Sequence, residues 1–140
     1  MHSFSHSVNY AFRSMALLEG PPGDLRLVGD LSARTGAPRP FLGKVLQVLQ
    51  KAGLVQSVRG RNGGFRLTRP AGEIHLAEVV DVLDGPEWRS SCLLGIGECT
   101  GRVDCAAWTC CREVRERMTS ELTRLTVGDL GRFLPESASR

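Results

Sequence analysis

The sequence predicts a mainly α-helical chain that carries one small β-hairpin and closes with a long helix. Three observations predict it. Apolar residues recur at three- and four-residue intervals in several separate stretches. Two short β-prone runs flank a glycine-rich linker. A stretch with glycines and cysteines then separates these elements from a last amphipathic run.

Taken in order, residues 4–19 read as a first helix. Val8, Phe12, Met15 and Leu18 share one face, Ser3 or Ser5 is placed to cap its start, and Gly20-Pro21-Pro22-Gly23 stops it. Residues 27–34 form a short second helix and Thr35-Gly36-Ala37-Pro38 a turn. Residues 39–52 form a third helix, where Pro40 is tolerated because it lies in the first turn. Phe41, Leu42, Val45, Leu46, Val48 and Leu49 are its expected buried side. The runs Leu54–Val58 and Phe65–Thr68 flank Arg59-Gly60-Arg61-Asn62-Gly63-Gly64, which reads as a hairpin whose paired glycines permit positive φ and close backbone approach. Residues 76–84 form an amphipathic helix ended by Gly85-Pro86. Residues 89–105 have loop composition, and a final helix spans about residues 106–125 with Trp108, Cys111, Val114 or Arg115, Met118, Leu122 and Leu125 along one side.

A short helix, a tight turn, a second helix and then a hairpin make a winged helix-turn-helix. Charge agrees with a nucleic-acid partner. Residues 1–72 carry ten Lys/Arg against three acidic residues, a net +7, whereas residues 73–140 carry eight Arg against twelve acids, a net −4. Arg39 and Lys44 fall in the first half of the third helix, the part that enters a major groove. Arg59, Arg61 and Asn62 fall at the hairpin tip, where they can meet phosphates or a narrow minor groove. Singly, each arginine reads as solvated surface; together with the fold pattern they point to duplex DNA.

No stretch is long and apolar enough for a membrane span, and no basic-then-apolar leader opens the chain, so a cytoplasmic protein is expected. In a reducing compartment, five cysteines suit a metal or redox role better than structural disulfides. Enzymatic motifs are missing: RGRNGGF opens no helix as a dinucleotide fingerprint would, Gly36–Lys44 has the wrong spacing for a phosphate loop, and no Ser-His-Asp set or carboxylate pair stands out.

The run FLGKVLQVLQKAGLVQSVRGRNGGFRLTRP, Phe41–Pro70, resembles the Rrf2 family of regulators, whose AGLV-x-S-x-RG-x-x-GG hallmark stands intact from Ala52 to Gly64. SVNYAFRSMALL and LAEVVDVLDGP resemble the family as well, so the likeness extends over roughly residues 3–130. It implies a homodimer in which long C-terminal helices pair across a two-fold axis and the two recognition helices reach successive major grooves of a roughly palindromic operator. The organisation expected is therefore a DNA-binding domain at 1–72, a short helix and cysteine-bearing sensor loop at 73–105, a dimerisation helix and C-terminal segment at 106–134, and a tail at 135–140.

Cys92, Cys99 and Cys105 stand as C-x6-C-x5-C in a glycine-bearing loop. Thiolates ligate iron–sulfur clusters and zinc, and zinc ribbons prefer paired CxxC knuckles, which this spacing is not. The spacing resembles the cluster cysteines of the IscR and NsrR types, which implies an iron–sulfur cluster, 2Fe-2S or 4Fe-4S. The fourth ligand stays open. Where the IscR type has a histidine this chain has Trp108, and where the NsrR type has an acidic residue it has Asn9; His6, Asn9, Cys110 and Cys111 are the candidates. Neighbouring Cys110 and Cys111 point about 100° apart on a helix, which argues against both binding one metal. The expected function is a transcription regulator, read here as a repressor although the resemblance implies a repressor or an activator, that senses iron, redox state or nitric oxide through that cluster. A cluster-free thiol-redox regulator is the alternative, followed by an electron carrier or a protein-binding module.

Overall fold

The computed structural model of the protein describes residues 4–21, 23–96, 99 and 104–132. Its elements are α1 (His6–Leu17), α2 (Val28–Thr35), α3 (Arg39–Lys51), β1 (Val55–Val58), β2 (Gly64–Leu67), α4 (Leu76–Asp84), α5 (Trp108–Arg124) and α6 (Val127–Leu130). Short 3-10 turns at Ala71–Glu73 and Pro86–Arg89 flank α4. The expected tail at 135–140 and the Ser3 cap lie outside the described residues.

Helix α1 starts where Ser5 accepts the Val8 N–H on its hydroxyl at 3.3 Å, so Ser5 is a working cap. Its buried stripe is Val8, Ala11, Met15 and Leu18. Phe12, expected at the centre, instead sits half-buried at the seam between two apolar clusters, because the smaller Ala11 takes the inward position. On α3 the buried side is Leu42, Val45, Leu46 and Leu49. Phe41 and Val48, read as buried from the sequence, are 36% and 41% exposed. The four inward residues already fill the stripe that one helix can hide, which leaves Phe41 and Val48 on its flank.

The hairpin pairs Val55 with Leu67 and Val58 with Gly64 in antiparallel register. A third segment joins its edge: Arg26 donates to the Phe65 carbonyl at 2.9 Å and Phe65 donates back at 2.8 Å. Two glycines are required at the turn. A Cβ on Gly63 would meet the Val58 carbonyl oxygen at 2.2 Å. At Gly64, φ is +150° and a Cβ would lie 2.7 Å from the Arg26 oxygen.

One buried cluster runs from Ala11 through α2, α3, the hairpin base and α4 to Val127 of α6. A smaller one, Val8, Ala77, Val80 and Trp88, lies where α1, α4 and the second 3-10 turn meet, with Met118 and Leu122 of α5 against its rim. Helix α6 and its dock on α1 had no counterpart in the sequence reading. Thr126 and Asp129 form its capping box, and the Val127 N–H donates to the Ile74 carbonyl at 2.8 Å. Helix α5 has no buried residue: of its expected stripe, Trp108, Cys111, Arg115, Met118 and Leu122 are half-buried and Val114 is exposed.

Candidate functional site

Two surfaces carry the chemistry. The first is the outward face of α3 with the hairpin beside it. Arg39 and Lys44 are both exposed, and Gln47, Val48 and Lys51 continue the same ridge toward the C-terminal end of the helix. The Arg39 guanidinium lies over Gly29 of α2, where a side chain would come within 3.8 Å of it. Phe41 packs edge-on against Tyr10 of α1, ring centroids 5.8 Å apart, which fixes the start of the helix against the core. At the hairpin tip Arg59, Arg61 and Asn62 are all exposed. Arg66 is committed elsewhere: its Nε donates to Gln56 across the ladder at 3.0 Å. The tip therefore offers two guanidiniums to solvent, and the strand behind it does not.

The second surface gathers thiols between the 3-10 turn at Pro86–Arg89 and the start of α5. Asp81 of α4 accepts the Trp88 indole N–H at 2.7 Å and both guanidinium arms of Arg89. That knot anchors the chain three residues before Cys92. The loop then curls so that the backbone N–H groups of Ile96, Leu94 and Gly95 face the Cys92 sulfur. These bonds, with Arg115 nearby, hold the Cys92 thiol below its ordinary range. Burial pushes the Cys111 thiol up, and the neighbouring Cys110, Cys92 and Cys105 thiols push the same way. Cys92, Cys105, Cys110 and Cys111 thus share one electrostatic neighbourhood. Cys99 is half-buried in the same loop. Among the described residues no three His, Cys, Asp or Glu side chains converge closely enough to hold a metal ion as they stand. His6, a candidate fourth ligand, stacks on Tyr10 at 6.4 Å, and Asn9 is half-buried on α1.

The donor set nevertheless suits the iron–sulfur cluster that the family resemblance implied. Sulfur ligands are its usual protein donors, and backbone N–H groups converging on a sulfur stabilise the thiolate that such a group requires.

Residues 4–132 match the Rrf2 family, described as an iron-dependent transcriptional regulator. The chain belongs to the Rrf2 family. Protein aau3 of Rhizobium meliloti (strain 1021) is 34% identical over 134 residues, covering 91% of this chain and 84% of that protein. The HTH-type transcriptional regulator IscR of Klebsiella pneumoniae is 36% identical over 103 residues, 74% of this chain. That match spans only 63% of IscR's own length. The structure of CymR (YrzC), the global cysteine regulator of B. subtilis, superposes with a TM-score of 0.76 at 20% identity over 96% of this chain and all of that one, which shows a shared fold. The Rrf2 chain is a transcriptional regulator of the DNA-binding type and not an enzyme. Among its described residues no helix is long and apolar enough to cross a membrane.

Sequence reasoning had not singled out three features of this Rrf2 chain. Gln47 and Val48 on the outward face of α3 could have been found by asking which helix positions the apolar stripe leaves over. The Asp81 knot could not, because its partners are brought together by a glycine-broken turn. Arg115 had been read as one option for an apolar face. In the structure its Nε and Nη2 are shielded from solvent with no hydrogen-bond partner.

Proposed function

We propose that the protein is a homodimeric transcription regulator that grips a roughly palindromic operator through Arg39 and Lys44 of α3 and through Arg59, Arg61 and Asn62 of the hairpin. In this reading it senses through an iron–sulfur cluster on Cys92, Cys99 and Cys105. The observation that carries the DNA part is the placement of five polar or cationic side chains, all exposed, on one helix face and one hairpin tip built from the same core. We take residues 1–72 as the DNA-binding unit, 73–105 as the sensor segment and 106–134 as the dimerisation segment. A cytoplasmic location follows from that task.

When bound, the cluster supplies an oxygen- and iron-sensitive link between its thiolates. The protein's own part is mechanical. Cys92 lies just beyond the Asp81 knot, and Cys105 lies three residues before α5. Thiolates held together fix the spacing between α4 and α5. Thiolates released let that spacing relax, and with it the separation of two recognition helices in a dimer. A change of an ångström or two suffices to spoil simultaneous docking in adjacent grooves. The candidates for the fourth ligand are His6, Asn9, Cys110 and Cys111. Cys111 is supported by its proximity to Cys92 and Cys105, a neighbourhood that Cys110 shares.

That same proximity favours a second reading, a thiol-redox regulator without iron. Iron and sulfide analysis with an absorption spectrum of anaerobically purified protein separates the two. Under the first reading a visible chromophore accompanies bound iron and sulfide, and Cys92→Ala, Cys99→Ala and Cys105→Ala each lose it and change operator affinity. A colourless, iron-free wild type whose operator affinity responds to a thiol oxidant establishes the second. Operator binding unchanged in all three variants, at every salt concentration, refutes the cluster coupling.

A further inference from the structure

Helix α5 carries four arginines, and three have carboxylates within reach. Arg112 lies 3.3 Å from Glu116, while Arg117 and Arg124 lie 3.7 and 2.5 Å from Glu121. Arg115 differs. It lies on the half-buried side of the helix, one turn beyond Cys111, and its Nε and Nη2 are closed off from solvent with no hydrogen-bond partner among the described residues. A guanidinium keeps its charge at any ordinary pH, and shielding its donors without an acceptor is costly. Such a group marks a place where negative charge is expected. The residues electrostatically close to it are Cys92 and Cys111.

We propose that Arg115 is the counter-charge of the cysteine site, supplying N–H donors to the sulfur atoms once the thiols around it have lost their protons to bind iron. This inference rests on the iron–sulfur reading above and adds a positioning residue to it. A thiolate-bound cluster is net negative, and one-electron reduction makes it more so. A fixed cation beside it therefore favours the reduced form, as hydrogen bonds to sulfur do. Arg115 would orient the sulfurs and set the potential without ligating.

The test is a stepwise dithionite titration of the reconstituted full-length protein, read by visible absorbance, for wild type, Arg115→Gln, Arg115→Lys and Arg112→Gln. Arg112 is the control, since it removes the same charge from the solvent-facing side. Arg115→Gln is expected to shift the reduction equilibrium about tenfold toward the oxidised form, equal to about 59 mV for one electron. Arg115→Lys should recover part of that shift, and Arg112→Gln should match wild type. An Arg115→Gln midpoint equal to that of wild type overturns the inference while leaving the cluster reading intact. Wild type that takes up no iron or sulfide overturns both. Should Arg115→Gln fold but fail to load, loading by Arg115→Lys supports the charge role. Failure of both folded variants overturns it in favour of packing.

Discussion

The Trp88 indole N–H donates to the Asp81 carboxylate at 2.7 Å, and Arg89 clamps the same carboxylate while its guanidinium lies 4.6 Å from the Trp88 ring. One acid on α4 thus fixes both the buried aromatic of the small core and the turn that leads to Cys92. Phe4 also meets Trp88 edge-on at 5.8 Å, so the residue just before α1 packs at the same point.

Asp81→Asn should keep an acceptor for Trp88 and lose the charged clamp on Arg89. Both side chains of the pair are about one-third exposed, so solvent screening limits the loss to about 1 kcal/mol in a urea melt. Arg89, its strongest hydrogen-bond partner, holds the Asp81 carboxyl below its ordinary 3.8. A lowered folded value means stabilisation that is complete above that ordinary value and lost as pH falls through the folded one. Wild-type and Asp81→Asn melts should therefore differ at pH 6, and the gap should narrow as pH falls below 3.8; a gap that does not narrow in acid contradicts the assignment.

Gly63→Ala should strain the hairpin, because the new methyl carbon would collide with the Val58 carbonyl oxygen at 2.2 Å, a backbone atom held in the ladder. A loss of about 1–3 kcal/mol is expected from overpacking of this kind. Gly72→Ala, where a Cβ meets nothing within 4 Å, is the matched control and should leave the melt unchanged.

Arg59→Ala and Arg61→Ala should each weaken operator binding and lower the slope of log affinity against log salt by about 1, the signature of one lost phosphate contact. Anisotropy titrations across a potassium chloride series measure it. Arg66→Ala, already engaged with Gln56, should leave the slope nearly unaltered.

Val114 is 48% exposed and lies with Met118 in a shallow apolar depression bordered by Glu113 and Arg117. If α5 is the dimer helix, Val114→Glu should raise the dimer dissociation constant about tenfold or more, since interface cores tolerate buried charge poorly. Sedimentation equilibrium decides it, and unaltered self-association removes α5 from the interface.

Local signals were legible in the sequence where one short-range rule governs. Residues 76–84 are the helix expected there, because an apolar stripe is bounded by Gly85-Pro86 on one side and by its own capping box on the other. The hairpin was legible from Gly63 and Gly64. Helix α6 was missed because four residues show no period, and only the dock of Val127 into the core makes them a helix. Phe41 and Val48 were read as buried because hydrophobicity names candidates for a stripe without limiting its width. The cysteine site was legible as a spacing, but its partners were not. Arg115 takes its meaning from Cys92, 23 residues away in sequence, which no periodicity on α5 can report.

The exchange of backbone bonds between Arg26 and Phe65 has a bearing on how a signal can travel. Because the hairpin is stitched to the segment entering α2, and α2 leads directly into α3, the hairpin tip and α3 are held in one orientation relative to each other. In the proposed dimer each subunit would then behave as a stamp of fixed outline, leaving a footprint of set length on one half-site. Under the proposed sensing, any allosteric adjustment would be made in the gap between the two stamps, so a lengthened or shortened operator spacer should mimic the off state more faithfully than any change of bases beneath the hairpins.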